Sequence, residues 1–137
     1  RDSFDAVMHT NVMGAMQVIP QIVPMVQETR GVIACISSVM GSLQETTEGN
    51  AALYRVSKAA LNMMVVALAL ELQPKGFKVV ALSPGQVDTQ GYAARGMVVP
   101  GTVPVEQSVA GLRNVIDRLT REQSGSFIRY SGDVQPW

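Results

Sequence analysis

The stretch Gly31-Val32-Ile33-Ala34-Cys35-Ile36-Ser37-Ser38 is the part of the sequence that decides the fold. Its first six residues form a short apolar run rich in β-branched side chains, which is typical of a strand buried on both faces. A second such run, Phe77-Lys78-Val79-Val80-Ala81-Leu82, ends at a Ser-Pro-Gly turn. Strands of this kind belong to parallel sheets covered by helices, so the two runs predict an α/β protein.

Helical patterns flank both runs. Apolar residues between residues 4 and 26 recur at helical spacing, and Asn11 falls on the same apolar stripe. Pro20 and Pro24 predict that this helix is kinked or ends early. Two further helices and a last short strand are expected at residues 51–73, 109–119 and 126–130. The first of these is apolar nearly all round, which predicts burial on more than one side.

The clearest catalytic signal is Tyr54-Arg55-Val56-Ser57-Lys58, at the start of the second helix. A Tyr and a Lys four residues apart lie on one helix face. A nearby ammonium favours the phenolate form, and this makes a tyrosine a usable general acid/base near neutral pH. Such a pair alone usually lies on a solvent-exposed helix face and has no catalytic role. Here it is accompanied by Asn11, by Ser37-Ser38 and by the segment Ser83-Pro84-Gly85-Gln86-Val87-Asp88-Thr89.

This ordered set of residues resembles the short-chain dehydrogenase/reductase superfamily. The superfamily pattern is an Asn on a long helix, a Ser after a strand, Tyr-x-x-x-Lys, and then Pro-Gly-x-Val-x-Thr. The C-terminal residues 124–137 are similar to those of C-factor and sniffer-type carbonyl reductases. The resemblance covers residues 4–137 and implies the C-terminal half of a doubly wound, parallel-sheet Rossmann fold. Residues 1–137 would be the catalytic and substrate half of one such domain.

The glycine-rich turn that opens this family is missing from the sequence. No two of the 12 glycines are separated by a single residue, so no Gly-x-x-x-Gly-x-Gly turn can approach a dinucleotide pyrophosphate. We therefore expect the N-terminal dinucleotide-binding half to be absent, and the sequence to be part of a larger protein. A half-domain on its own would leave the strand at residues 31–36 with a bare apolar edge.

The resemblance implies an oxidoreductase that interconverts a small carbonyl compound and an alcohol with NADP or NAD. Ser38 would hold the substrate carbonyl, and Tyr54 would transfer the proton. Lys58 would assist Tyr54 and contact the nicotinamide ribose, while Asn11 would hold a water that links Lys58 to solvent. Besides Tyr54 and Lys58, the residues lining the nicotinamide would be Pro84, Gly85, Val87 and Thr89. The glycine-rich segment 86–104 would form a lid over the substrate.

Two other interpretations remain open. Tyr54 and Lys58 could serve a non-redox acid/base catalyst, such as an isomerase, a cyclase or a dehydratase. Alternatively, the chain could be a catalytically silent dimerisation module. In the family, the helices corresponding to residues 4–29 and 54–73 pack across subunit interfaces, which predicts a homodimer or a homotetramer.

Composition excludes several partners. With 11 basic and 11 acidic residues the net charge is zero, so neither nucleic acid nor an anionic membrane is expected to bind. We see neither a signal peptide nor a span of 18 or more apolar residues, and expect a cytoplasmic protein. Cys35 is the single cysteine, so an internal disulfide is excluded and a buried, inert thiol is expected. One His and one Cys argue against a His/Cys metal site.

Overall fold

The secondary structure follows the predicted alternation of strands and helices. The computed structural model describes residues 1–26, 31–89, 93–97 and 99–137. The helical segments are α1 (Asp2–Met8), a π-helical turn (His9–Met13), α2 (Gly14–Val26), α3 (Ala52–Leu72) and α4 (Val105–Arg118), with 3-10 turns at Val39–Gly41, Gln73–Lys75 and Ala93–Arg95. The strands are β1 (Val32–Ile36), β2 (Lys78–Ser83), β3 (Gln86–Val87), β4 (Thr102–Val103), β5 (Phe127–Arg129) and β6 (Val134–Gln135).

The main sheet has the strand order β1-β2-β5-β6. β1 runs parallel to β2, and β2 runs parallel to β5, whereas β6 is antiparallel at the far edge. β3 and β4 form a separate two-stranded parallel ladder. The α/β fold with a parallel sheet, predicted from the two apolar runs, is confirmed.

The core lies on both faces of the sheet, and β2 is its centre. Val79 and Ala81 face a cluster with α2, α3 and β1, while Val80 and Leu82 face a second cluster with α4 and β5. All four of these side chains are fully buried. A strand buried on both faces needs an uninterrupted apolar run, which explains the sequence pattern that predicted it.

The first helix does not end at its prolines. Pro20 and Pro24 lie inside α2, which continues to Val26. Both prolines are exposed, so water can reach the carbonyl groups that they leave unpaired. The helix is also irregular at the π-helical turn His9–Met13, which contains Asn11.

The segment 86–104, expected to be an aperiodic lid, contains regular structure. β3 and β4 pair across it, and a 3-10 turn spans Ala93–Arg95. Residues 90–92 and 98 lie outside the described part of the chain, so the predicted lid remains a prediction. The sequence did not indicate these strands because each is two residues long, which is too short for periodicity to show.

α3 is buried on more than one side, as predicted, but one stripe of it stays exposed. The helix packs against the sheet, the 3-10 turn at Val39–Gly41 and the N-terminal helical segments, whereas Val56, Met63 and Leu70 on its outer face are 54%, 68% and 69% exposed. Within the described residues, the segment Ala52–Lys75 is long and apolar enough to cross a membrane by length and composition alone. Core helices of soluble proteins pass the same test of length and composition.

Candidate active site

The predicted site residues gather beyond the carboxyl ends of β1 and β2. Ser37 and Ser38 directly follow β1, and the Pro84-Gly85 turn directly follows β2. The N-terminal half of α3 carries Tyr54 and packs against the 3-10 turn that follows Ser38. Open parallel sheets bind ligands at this end of their strands.

Lys58 is anchored at the end of β1. Its ammonium donates a hydrogen bond to the Ile36 carbonyl at 3.1 Å and lies 5.7 Å from the centroid of the Tyr54 ring. This places the charge within cation–π range of the tyrosine. Lys58 is buried whereas Tyr54 is 38% exposed, so the tyrosine is the member of the pair that a substrate can reach.

Lys58 and Cys35 are neighbouring titratable groups, and burial disfavours the charged form of each. Desolvation lowers the pKa of Lys58, an effect that the neighbouring Cys35 partly opposes. Desolvation also raises the pKa of the Cys35 thiol, and the positive charge of Lys58 acts in the opposite direction. Cys35 is therefore a buried, protonated thiol at neutral pH, in agreement with the burial predicted from the sequence.

Asn11 reaches α3 through Ser57. Its side-chain amide donates to the Ser57 hydroxyl at 2.9 Å, and that hydroxyl donates to the Tyr54 carbonyl at 2.8 Å. Asn11 and Lys58 both line a groove of about 590 Å³, which has room for water between them. The water at Asn11, which the family resemblance implies, remains a prediction. π-Helical turns occur often at functional sites, which fits the position of Asn11 in one.

Ser57 was missed by the sequence analysis. It is fully buried in an apolar helix, three residues after Tyr54. A buried hydroxyl must find a partner, and this requirement was the signal in the sequence.

The two serines after β1 have different surroundings. The Ser37 side chain is buried and its hydroxyl donates to Asn62 Oδ1 at 2.5 Å. Ser38 is only partly buried, and its Oγ accepts a hydrogen bond from the Met40 N–H at 3.2 Å. Since one lone pair of Ser38 is used in this way, its O–H remains able to donate to a substrate oxygen. Asn62, like Ser57, was not singled out from the sequence.

The turn after β2 is held by contacts from behind. Gly85 has φ of +79°, and a Cβ there would lie 2.9 Å from the Tyr130 ring. The buried Ser108 hydroxyl on α4 donates to the Pro84 carbonyl at 2.7 Å. Val87 follows in β3 and Thr89 is exposed beyond it. The four predicted nicotinamide residues therefore form one segment, joined to the Tyr54 group by the adjacency of β1 and β2.

Comparison with known proteins agrees with this arrangement. The family profile described as short chain dehydrogenase matches residues 1–97. C-signal of Myxococcus xanthus is 41% identical over 129 residues, which cover 93% of this chain and 74% of that protein. These matches confirm the predicted similarity to short-chain dehydrogenases and to C-factor proteins.

Solved structures show the same fold. The NADPH-bound carbonyl reductase from chicken fatty liver superposes with a TM-score of 0.87 at 30% identity, over 99% of this chain and 57% of that one. Carbonyl reductase Sniffer of D. melanogaster superposes with a TM-score of 0.84 at 28% identity, over 95% of this chain and 55% of that one. The chain thus spans little more than half the length of these structures.

Proposed function

Since the chain belongs to the short-chain dehydrogenase family, we propose that it is the catalytic part of an NAD(P)-dependent oxidoreductase that interconverts a small carbonyl compound and an alcohol. The observation that carries the proposal is the Lys58 ammonium, fixed on the Ile36 carbonyl and 5.7 Å from the Tyr54 ring. A half-exposed tyrosine beside a buried cation is suited to proton transfer. The Ser38 Oγ accepts a hydrogen bond from the Met40 N–H, which leaves the Ser38 O–H able to donate to the oxygen atom of the substrate.

The residues present fit the nicotinamide end of NADP or NAD. Tyr54 and Lys58 would hold the ribose, and the segment Pro84, Gly85, Val87 and Thr89 would line the ring. The positive φ of Gly85 favours glycine in this turn, and its missing side chain leaves room for the Tyr130 ring behind the turn. When bound, the cofactor supplies or accepts the hydride. A glycine-rich turn for the pyrophosphate is lacking in this sequence, and we propose that a nucleotide-binding half completes the site.

During reduction, side chains of this chain orient the carbonyl oxygen and transfer a proton to it. Ser38 donates a hydrogen bond to the oxygen and so orients the carbonyl. Tyr54 gives its phenolic proton to that oxygen as the alcohol forms, and the Lys58 ammonium stabilises the remaining phenolate. A water in the groove beside Asn11 and Lys58 then returns a proton from solvent. Oxidation of the alcohol follows the same path in reverse.

The test is the rate of NADPH consumption with a panel of aromatic aldehydes and quinones. We expect Tyr54→Phe to lower kcat by about 10²- to 10⁴-fold, because the proton donor is lost. Lys58→Met should lower kcat as well. The matched control is Lys75→Met, since Lys75 is exposed in the turn after α3. Full activity of Tyr54→Phe in a preparation with active wild type would refute the proposed role of Tyr54.

A second candidate is acid/base catalysis without a nicotinamide, as in an isomerase, a cyclase or a dehydratase. It is favoured by one observation: the Tyr54–Lys58 pair and Ser38, which would carry acid/base chemistry, all belong to the part of the fold that this chain forms. The two candidates differ in their need for cofactor. Turnover that depends on Tyr54 but continues without NAD(P)H would support the second candidate. A silent dimerisation module would show no Tyr54-dependent turnover in either condition.

We also propose that two copies associate through the outer face of α3. Val56, Met63 and Leu70 are exposed at intervals of seven residues, which places them on one stripe of the helix. An antiparallel pair centred on Met63 would set Val56 against Leu70 of the partner subunit.

Sedimentation velocity tests this association. Met63→Lys places a charge at the centre of the stripe and should yield a monomer. Val109→Lys is the control, because Val109 is similarly exposed on α4, away from the stripe. A wild type that stays monomeric at high concentration would contradict the proposed association.

A further inference from the structure

We infer that Asn62 is a positioning residue, which fixes the Ser38 hydroxyl relative to Tyr54 and Lys58. The inference rests on the proposed function, in which Ser38 holds the substrate oxygen. Asn62 itself is 3% exposed and lies behind the segment that carries Ser38, so it acts through that segment.

One amide side chain holds both ends of the short segment that contains Ser38. Asn62 Oδ1 accepts a hydrogen bond from the Ser37 hydroxyl at 2.5 Å. Asn62 Nδ2 donates to the Gly41 carbonyl at 3.2 Å. Ser37 precedes Ser38 directly, and Gly41 closes the 3-10 turn that follows it. Both ends of the segment are therefore tied to the same point on α3.

A direct contact adds a third restraint. A Cβ at Gly41 would lie 2.7 Å from Lys58 Cβ and 2.8 Å from the Lys58 carbonyl carbon. The turn therefore rests on the backbone of α3 at Lys58, with no room for a side chain between them. Because the Met40 N–H that holds Ser38 Oγ belongs to this turn, the position of the turn fixes the hydroxyl.

The spacing along α3 makes the arrangement a single unit. Tyr54, Lys58 and Asn62 follow each other at four-residue intervals, and residues at this spacing lie along one helix face. The first two carry the proposed acid/base chemistry, and the third holds the segment that would orient the substrate carbonyl. A helix of 21 residues packed on the sheet thus sets the separation between the proton donor and Ser38.

A buried amide that only satisfied backbone groups would stabilise the fold without a specific effect on the rate. A double-mutant cycle with Ser38 separates the two roles. The variants are Asn62→Leu, which loses both hydrogen bonds, and Ser37→Ala, which loses one of them. The control is Ser124→Ala, because Ser124 accepts a backbone hydrogen bond from Val79 at the opposite end of the sheet.

Each variant is made in the same form of the protein in which the wild type shows NADPH-dependent reduction. The kcat and the melting temperature are then measured for that form. We expect Asn62→Leu and Ser37→Ala to lower kcat by roughly 10- to 100-fold, because small displacements of an orienting group are costly. The KM for NADPH and the pH profile of kcat should stay as in wild type. In the Ser38→Ala background, the same substitutions should change kcat less than about twofold, while their effect on the melting temperature persists. Ser124→Ala should lower the melting temperature and leave kcat within about twofold of wild type.

The outcomes distinguish the inference from the proposed function. If Ser38→Ala is impaired but Ser37→Ala and Asn62→Leu behave like Ser124→Ala, only the inference on Asn62 is overturned. It is also overturned if these substitutions lower kcat equally with and without the Ser38 hydroxyl. If Ser38→Ala is fully active, the proposed role of Ser38 fails and the inference fails with it. If Asn62→Leu does not fold, Ser37→Ala is compared in the wild-type and Ser38→Ala backgrounds. This comparison alone then distinguishes the same outcomes.

Discussion

The two edges of the main sheet are built differently. At one edge, the short β6 runs antiparallel to β5, and Trp137 stacks on the ring of Phe127 with centroids 5.7 Å apart. At the other edge stands β1, five residues long and parallel. Among the residues that the structure describes, β1 pairs only with β2. The groove of about 590 Å³ runs along this outer edge, between β1 and α2.

The contrast shows that the described residues cover the sheet at its β6 edge and leave the β1 edge open. Edges of native sheets are usually short, covered or twisted away, as at β6. β1 instead offers outward-facing backbone groups beside an apolar groove, and Lys58 contacts only the last of its carbonyls, that of Ile36. The solved relatives are nearly twice as long as this chain. The open edge is where we expect a further parallel strand of such a protein to pair.

The largest expected effect is at the closed edge. Phe127 is fully buried under Trp137, so Phe127→Ala should lower the free energy of unfolding by about 3–5 kcal/mol. At the open edge, Ile36 is 50% exposed, and Ile36→Ala should cost less than about 1.5 kcal/mol. Denaturant titration of the isolated chain measures both. Equal costs would contradict the distinction between the edges.

An intermediate effect is expected from proline substitutions in β1. The Gly31 carbonyl and the Ser37 N–H bond to β2, so by strand alternation the Cys35 N–H faces β2 and the Ala34 N–H faces outward. Cys35→Pro should therefore cost about 1–3 kcal/mol for the lost ladder bond.

Ala34→Pro is the matched variant at the open edge. It should lower the free energy of unfolding of the isolated chain by less than about 1 kcal/mol. The reason is that proline is tolerated at an edge-strand position whose N–H group faces away from the neighbouring strand. It should also reduce aggregation at high concentration, since it blocks the edge to further strands. Light scattering measures the second effect. Unchanged aggregation would mean that the outer edge of β1 is not the contact between chains.

The smallest effect concerns the pH dependence of stability at the open edge. Burial lowers the pKa of Lys58 from its ordinary value of 10.5. Between the lowered pKa and 10.5 the unfolded chain binds more protons, so the free energy of unfolding rises with pH in this interval. Lys58→Met should remove the rise, whereas Lys75→Met should retain it.

Cys35 contributes in the opposite direction, because burial raises its pKa above the ordinary 9.0 and stability falls as the unfolded thiol ionises. The Lys58 effect is therefore the difference between the unfolding curves of wild type and Lys58→Met. Parallel curves through this interval would show that the Lys58 ammonium is not desolvated in the folded chain.

The parts of the fold that were predictable are those with long sequence signals. The apolar run at β2 predicted a strand buried on both faces, and α3 was predicted to within a residue at each end. β6 was not predicted, since two residues held by pairing with β5 carry no periodicity of their own. Nor was the π-helical turn at Asn11, because its extra residue does not interrupt the apolar stripe.

The sequence predicted the site residues whose side chains carry the proposed chemistry. It did not predict the residues whose side chains only hold other residues in place. Tyr54, Lys58 and Ser38 lie at one end of the sheet, as their order in the sequence indicated. Their proposed roles remain predictions. Ser57 and Asn62 were not predicted because they bond to residues far away in the sequence. Ser57 accepts a hydrogen bond from Asn11, and Asn62 bonds to Ser37 and to the Gly41 carbonyl. Only the folded chain brings such partners together.

The four-residue spacing of Tyr54, Lys58 and Asn62 also limits how this helix can vary in length. Adding or deleting one residue between Tyr54 and Asn62 would turn one of them by about 100° around the helix axis. The tyrosine would then point away from Ser38, or the amide away from the turn it holds. Single-residue insertions should therefore be harmless in the polar loop at residues 44–50 before α3. Insertions anywhere within these two turns of helix should inactivate the protein.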